Sequence, residues 1–362
     1  MAAALTRTKP AAMTDDILFE RRGAAGIVTL NRPKALNAVT HGMVRALRVQ
    51  LDRWADDVAV TRVVITAAGE RAFSAGGDIR ALADLGKAGR HDEALQFWRE
   101  EYPLNAAIKN YRKPYVALID GIAMGGGVGV SVHGSHRVAG DRFAFAMPEV
   151  GIGFFPDVGA TWFLPRMPGE LGTYCALTGE RFGIADAIGG GIATHRVPSA
   201  KFGLLLDGLT STVSVDAAIA AFSESAGEGP IIQRKAAIDR LFGGGRVEDI
   251  IDALDREASS GGVDSAWAKK TAATMRTKSP LSLNLALAQV RRGKDWDFEM
   301  CIRAEFRIVS RIVRGHDFYE GVRAVIVDKD NKPRWQPATL AEVSKAEVER
   351  HFAPLGGAEL VL

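Results

Sequence analysis

Glu149 and Asp157 stand eight positions apart in residues 147–165, MPEVGIGFFPDVGATWFLP. Gly151, Gly153 and Pro156 lie between them, so one continuous helix is excluded and a folded loop must set their distance. Two carboxylates held on such a loop can act as general acid, general base or nucleophile. Each also has an ordinary reading. Asp157 could cap a helix over 158–164, and Glu149 alone could be a solvated side chain.

Two glycine clusters precede the pair. Phe73-Ser74-Ala75-Gly76-Gly77-Asp78 follows a β-rich run at 63–66, and Met124-Gly125-Gly126-Gly127-Val128-Gly129 follows another at 115–119. The implied local order is strand, Gly turn, helix. Backbone N–H groups at such a turn are unpaired and carry the positive end of the helix dipole, so they can hold an oxyanion without a charged side chain. A phosphate cradle or plain tight packing would use the same glycines. The dinucleotide spacing G-x-G-x-x-G fails, because counting from Gly125 the sixth position is Val130, and no Gly-Lys is followed by Ser or Thr. Ser74, Ser131 and Ser135 each lack a glycine of G-x-S-x-G, so a hydrolase here would have to use carboxylates.

The chain resembles the crotonase, or enoyl-CoA hydratase/isomerase, superfamily and, within it, the 3-hydroxyisobutyryl-CoA hydrolases. The resemblance begins at Thr29-Leu30-Asn31-Arg32-Pro33-Lys34-Ala35-Leu36-Asn37-Ala38, includes Ser74-Ala75-Gly76-Gly77-Asp78-Ile79-Arg80, and continues over 113–195. It resumes at Lys278-Ser279-Pro280 and again from Arg314-Gly315-His316-Asp317-Phe318-Tyr319 to Asp328-Lys329-Asp330. The first two motifs belong to the whole superfamily, whereas Phe145-Ala146-Met147-Pro148-Glu149 and Phe155-Pro156-Asp157-Val158-Gly159 are narrower. What it implies is an oxyanion hole for the thioester carbonyl made by the N–H groups of Gly77 and Gly126. Hydratases of the superfamily use two glutamates; the second matches Glu149, but the first falls on Gly129. Isomerases work with a glutamate at the Glu149 position alone, and Asp157 favours the hydrolase. Glu101 matches a further substrate-contacting position. The implied reaction is hydrolysis of 3-hydroxyisobutyryl-CoA, and also of 3-hydroxypropionyl-CoA, in valine catabolism, with an enoyl-CoA isomerase or hydratase as the alternative. Coenzyme A enters as part of the substrate and no cofactor is expected. Arg32 and Lys34, beside the first motif, could meet its phosphates or sit on a solvated loop.

These groups need elements to position them. Phe97, Glu101, Leu104 and Ile108 recur at helical spacing, which sets a carboxylate on an apolar stripe, where it must be paired, protonated or facing a ligand cavity. Strands alternating with Gly-bounded helices over 17–198 make an α/β core, which the resemblance specifies as a crotonase-like spiral of β-β-α turns. Residues 199–362 read as a mainly helical C-terminal region packing on that core. Ser279 caps a helix begun by Pro280, and Phe298, Ile302, Phe306, Val309 and Val313 form a stripe that stops at Gly315. Gly243-Gly244-Gly245 and Ser259-Ser260-Gly261-Gly262 mark loops.

A chain of 362 residues with 47% hydrophobic content can build a large core. Its net charge of +3 is too small to argue for nucleic acid or a membrane surface as partner. The partner expected is a small acyl-CoA, with a homo-oligomer left open. His133 and His136 lack a nearby third ligand, and the only cysteines, Cys175 and Cys301, have no metal-ligand spacing, so no metal is expected. The run 116–132 holds Asp120 and several glycines and suits a buried strand, turn and helix better than a membrane span. Residues 1–16 are Ala-rich and are expected to be a disordered extension: a targeting segment, a start assigned upstream of Met13, or residue of cloning. The Ala, Gly and Arg content favours a bacterial cytoplasmic protein; eukaryotic members of the family are organellar, which would mean mitochondrial.

Overall fold

In the computed structural model, which describes residues 15–362, the first strands are β1 (Ile17–Arg22), β2 (Ala25–Leu30), β3 (Arg62–Ala67) and β4 (Ala72–Ser74). They are followed by β5 (Tyr115–Ile119), β6 (Ile122–Met124), β7 (His136–Ala139), β8 (Ala144–Ala146) and β9 (His195–Arg196). One sheet has the order β1-β2-β3-β5-β7-β9, antiparallel at β1 and parallel beyond it; the other is β4-β6-β8, parallel throughout. Successive turns of chain thus lay one strand in each sheet before a helix follows. This is the α/β spiral of β-β-α turns expected, with one refinement. Each glycine cluster follows a short strand of the second sheet, β4 or β6, and not the longer strand before it. Three-residue strands are too short to show an alternation in sequence.

Parity sorts the side chains of the large sheet. Val28, Leu30, Val63, Ile65, Ala117 and Ile119 enter the main core, while Ala25, Ile27, Val64, Val116 and Leu118 enter a second one. Both faces are therefore covered, as a parallel sheet requires. The second core is closed by helices Phe202–Thr210 and Val215–Ala220 through Leu205, Leu209, Val215 and Ile219. The later helices join the main core, so residues beyond 198 wrap the sheet on both sides.

Local signals in the sequence explain the helix that matters most for the C-terminal region. Ser279 accepts the Ser282 N–H, Pro280 opens the helix Pro280–Gly293, and Pro280 has no N–H to leave unpaired. In the helix Phe298–Ile312 the stripe of Phe298, Ile302, Phe306 and Val309 is buried within this one chain, as core. Asp15 and Asp16 already belong to the described fold, because their carbonyls accept from the Asn31 side chain and backbone. The expectation for the rest of the N-terminal extension falls on residues 1–14, outside the described residues. Among the described residues no helix is long and apolar enough to cross a membrane.

Candidate active site

Both glycine turns, Glu101, Glu149 and Asp157 line one cavity of about 570 Å³, which Lys278, Val325 and Pro333 of the C-terminal region also line. Gly125, at a φ of 45°, turns the chain from β6 into the short helix Gly126–Gly129, whose first N–H is left without an acceptor among the described residues. Gly77 forms an isolated bridge with Val39 in which the flanking Gly76 carbonyl and Asp78 N–H make the bonds. Among the described residues the Gly77 N–H thereby lacks an acceptor as well. The two groups converge, since a Cβ built on Gly126 would lie 3.2 Å from the Gly77 nitrogen. Two adjacent unpaired N–H donors at the wall of a cavity can stabilise a developing oxyanion.

Glu149 opens the 3-10 turn Glu149–Ile152 and is 7% exposed, with Oε2 unpartnered. Gly153 closes that turn at a φ of 67°, where a Cβ would meet the Asp317 carbonyl oxygen at 2.1 Å. The helix Asp317–Val322, from the C-terminal motif, is thus packed directly on the Glu149 turn. Burial and then the Asp157 charge hold the Glu149 carboxyl well above the usual range. Asp157 is 5% exposed and accepts a 3.0 Å bond from the Tyr102 hydroxyl. Burial pushes it up to about 7, against the opposing pull of the Tyr102 and Trp98 donors.

Asp157 is not a helix cap. The helix is only Ala160–Phe163, and Glu305 accepts the Gly159 and Thr161 N–H groups at 2.8 Å each. Just before them Val158 stands at a φ of 53°, a left-handed conformation costly for a β-branched residue. His133 Nε2 donates to the Val158 carbonyl at 2.6 Å, and Gln289 donates to that of Pro156. The strained backbone is clamped on both sides of Asp157.

The expected helical stripe around Glu101 is present in His91–Lys109, with Phe97, Leu104 and Ile108 buried beside it. No cation pairs with Glu101 among the described residues. Its Oε1 has no partner and faces the cavity, close to where a Gly126 Cβ would stand, at 2.8 Å. Burial, then Asp157 and Glu305, raise its carboxyl well above the usual range, which favours the protonated form. At Gly129, where hydratases would place their first glutamate, the space is filled. A Cβ there would meet Asn105 Nδ2 at 2.8 Å and the Val158 Cβ at 2.9 Å.

An enoyl-CoA hydratase/isomerase family model matches residues 25–352. The chain belongs to that family. A mitochondrial 3-hydroxyisobutyryl-CoA hydrolase of Danio rerio is 46% identical over 96% of this chain and 92% of that protein. One of Homo sapiens with the same name is 42% identical over 98% and 93%. Among solved structures, a carnitinyl-CoA dehydratase from Mycobacterium thermoresistibile superposes with a TM-score of 0.90 at 44% identity, covering 96% of this chain and 99% of its own. An enoyl-CoA hydratase from Rhodobacter sphaeroides 2.4.1 gives 0.88 at 39% identity, covering 96% and 100%.

In this family member Arg32 does not line the cavity. Its guanidinium donates to the Ala38 carbonyl and to Asp78, and pairs with Asp16. Lys34 is exposed, next to the cavity-lining Ala35. His136 bonds Ser135 and Asp216 while His133 points to Val158, so the two do not share a target. His316 sits beside Asp317, whose carboxylate accepts from Ser279 and from the Gln336 N–H. The motif around it therefore braces the Glu149 turn from behind. Tyr102, Val158 and Glu305 were not singled out in the sequence. Glu305 carried the same signal as Glu101, a carboxylate inside an apolar stripe.

Proposed function

We propose that the chain hydrolyses 3-hydroxyisobutyryl-CoA, and 3-hydroxypropionyl-CoA, to the free hydroxy acid and CoA. The observation that carries this reading is the filled space at Gly129 together with Asp157 inside the cavity. The position of a second hydratase carboxylate is occupied by Val158, and a different carboxylate stands across from Glu149. The names of the hydrolases from Danio rerio and Homo sapiens support it.

The thioester carbonyl docks between the Gly77 and Gly126 N–H groups, which meet the negative charge as the carbon is attacked. Glu149 in its ionised form either takes the proton of an attacking water or attacks itself, giving an acyl anhydride that water opens; CoA leaves as thiolate in both routes. Its raised pKa makes it a strong base once ionised. Asp157, held by Tyr102, receives the substrate 3-hydroxyl. Glu101 stays neutral beside the oxyanion hole, where an ionised carboxylate would repel the developing charge and an O–H can donate instead. Lys34 meets a phosphate of CoA, and Arg32 shapes the first motif's loop through Asp78. Coenzyme A is supplied by the substrate, and the reaction uses water without a further cofactor.

The setting of this activity is valine degradation, in the cytoplasm of a bacterium or the mitochondrion of a eukaryote. Thiol release by purified protein from 3-hydroxyisobutyryl-CoA, run beside absorbance of crotonyl-CoA, tests the reaction. Thiol release with a steady crotonyl signal supports the hydrolase; loss of the crotonyl signal without thiol release would replace it with a hydratase.

A further inference from the structure

A second cavity, of about 310 Å³, lies outside the acyl-CoA cleft, with Lys109, Arg137, Arg166 and Trp162 in its wall. Three cations meet there from three separate elements: the end of the helix His91–Lys109, strand β7, and the 3-10 turn Leu164–Arg166. No acidic residue lines the cavity, and none of the three cations has a carboxylate partner among the described residues. Their environment does not compensate them by charge. Arg137 donates to the carbonyls of Gly134, Gly191 and Ile192, and Arg166 to those of Trp162, Gly293 and Trp296. Each guanidinium keeps N–H donors over after those bonds. Among the described residues Lys109 Nζ makes no hydrogen bond; it stands 3.9 Å over the Trp162 ring, which Arg166 also covers at 4.6 Å.

Holding like charges around a partly desolvated cavity is unfavourable without an anion. Burial and the fields of Arg137 and Arg166 lower the Lys109 pKa, and burial lowers that of Arg137. A surface cluster kept only for solubility would leave its cations spread in water. This one directs them to a concave wall floored by an indole, with donors unspent, which is the chemistry of an oxyanion receptor.

We propose that this cavity binds a phosphate group, as free phosphate or a phosphate monoester, independently of the acyl-CoA cleft. The test is calorimetric titration of the full chain with inorganic phosphate and, separately, glycerol phosphate, each with dephospho-CoA, which lacks the 3′-phosphate monoester of CoA, present in excess to occupy the cleft. Binding of either anion is expected, weakened at least about tenfold in Lys109→Met and restored to within about threefold in Lys109→Arg. Stronger binding of the ester would identify a monoester as the ligand, and stronger binding of inorganic phosphate the free ion. Absence of binding by both, binding abolished by dephospho-CoA, or equal affinity in Lys109→Met and the parent would each overturn the proposal.

Discussion

Gly126→Ala isolates the oxyanion hole from the rest of the fold. Gly126 has no positive φ, so alanine fits its backbone, and in a helix the exchange is worth up to about 1 kcal/mol in favour of folding. The added methyl meets the Gly76 carbonyl carbon only at an ordinary 3.5 Å. It stands 2.8 Å from Glu101 Oε1, at the end of a side chain that can shift, and 3.2 Å from the Gly77 nitrogen, over the N–H needed by the substrate. Blocking one such donor removes about 3 to 4 kcal/mol of transition-state stabilisation, or about 100 to 1,000-fold in kcat. Gly127→Ala is the contrast, because its methyl would lie 2.5 Å from the Ser74 carbonyl oxygen and 2.6 Å from the Ser74 Cβ. That substitution should cost about 1 to 3 kcal/mol of stability. Thiol-release kinetics and thermal melts of both variants give the answer. A folded Gly126→Ala protein that retains kcat within about threefold of the parent would refute the placement of the carbonyl between these two glycines.

Glu149→Gln should nearly abolish turnover while leaving a folded protein, checked by thiol release and circular dichroism. Asp157→Asn should lower kcat/KM more for 3-hydroxyacyl thioesters than for plain acyl ones; equal losses on the two series would remove Asp157 from hydroxyl recognition. Stability should fall as pH rises, because the folded Asp157 carboxyl titrates near 7 against an unfolded value near 3.8. The stabilisation of its protonated form is complete below the lower value and lost on the way to the upper one, about 4 kcal/mol in order of magnitude. Thermal melts from pH 5 to 8 should therefore slope downward in the parent and less steeply in Asp157→Asn; parallel slopes would contradict the assignment. Gly129→Glu should fail to create hydratase activity on crotonyl-CoA, since Val158 and Asn105 occupy the space; hydration by that variant would show that the space can open.

Much of this site was legible in the chain. Gly77, Gly126, Glu149 and Asp157 stand on turns that glycine and proline punctuation announces, and all of them reach one cavity. Glu101 was legible because a carboxylate breaks an apolar period. Glu305 breaks its stripe in the same way, but no nearby motif drew notice to it. The supposed helix over 158–164 misled because 160–166 is helical and a preceding Asp is a common cap. The left-handed Val158 has no local signal, since it is imposed by bonds from His133 and Glu305, which lie far away in sequence. Arg32 illustrates the converse limit. A basic residue beside a binding motif suggests a phosphate, yet Asp78 and Asp16 claim it first.

Glu305 grips the Gly159 N–H from 146 residues further along the chain. Every residue proposed to touch substrate has left the ribosome long before this last grip on the backbone beside Asp157. A nascent or truncated polypeptide ending before the helix Phe298–Ile312 would carry the whole set of reactive groups, with Tyr102, His133 and Gln289 already present but the Gly159 and Thr161 N–H groups without their carboxylate. A premature stop before that helix removes this support from beside Asp157 even though every group proposed to touch substrate has been made.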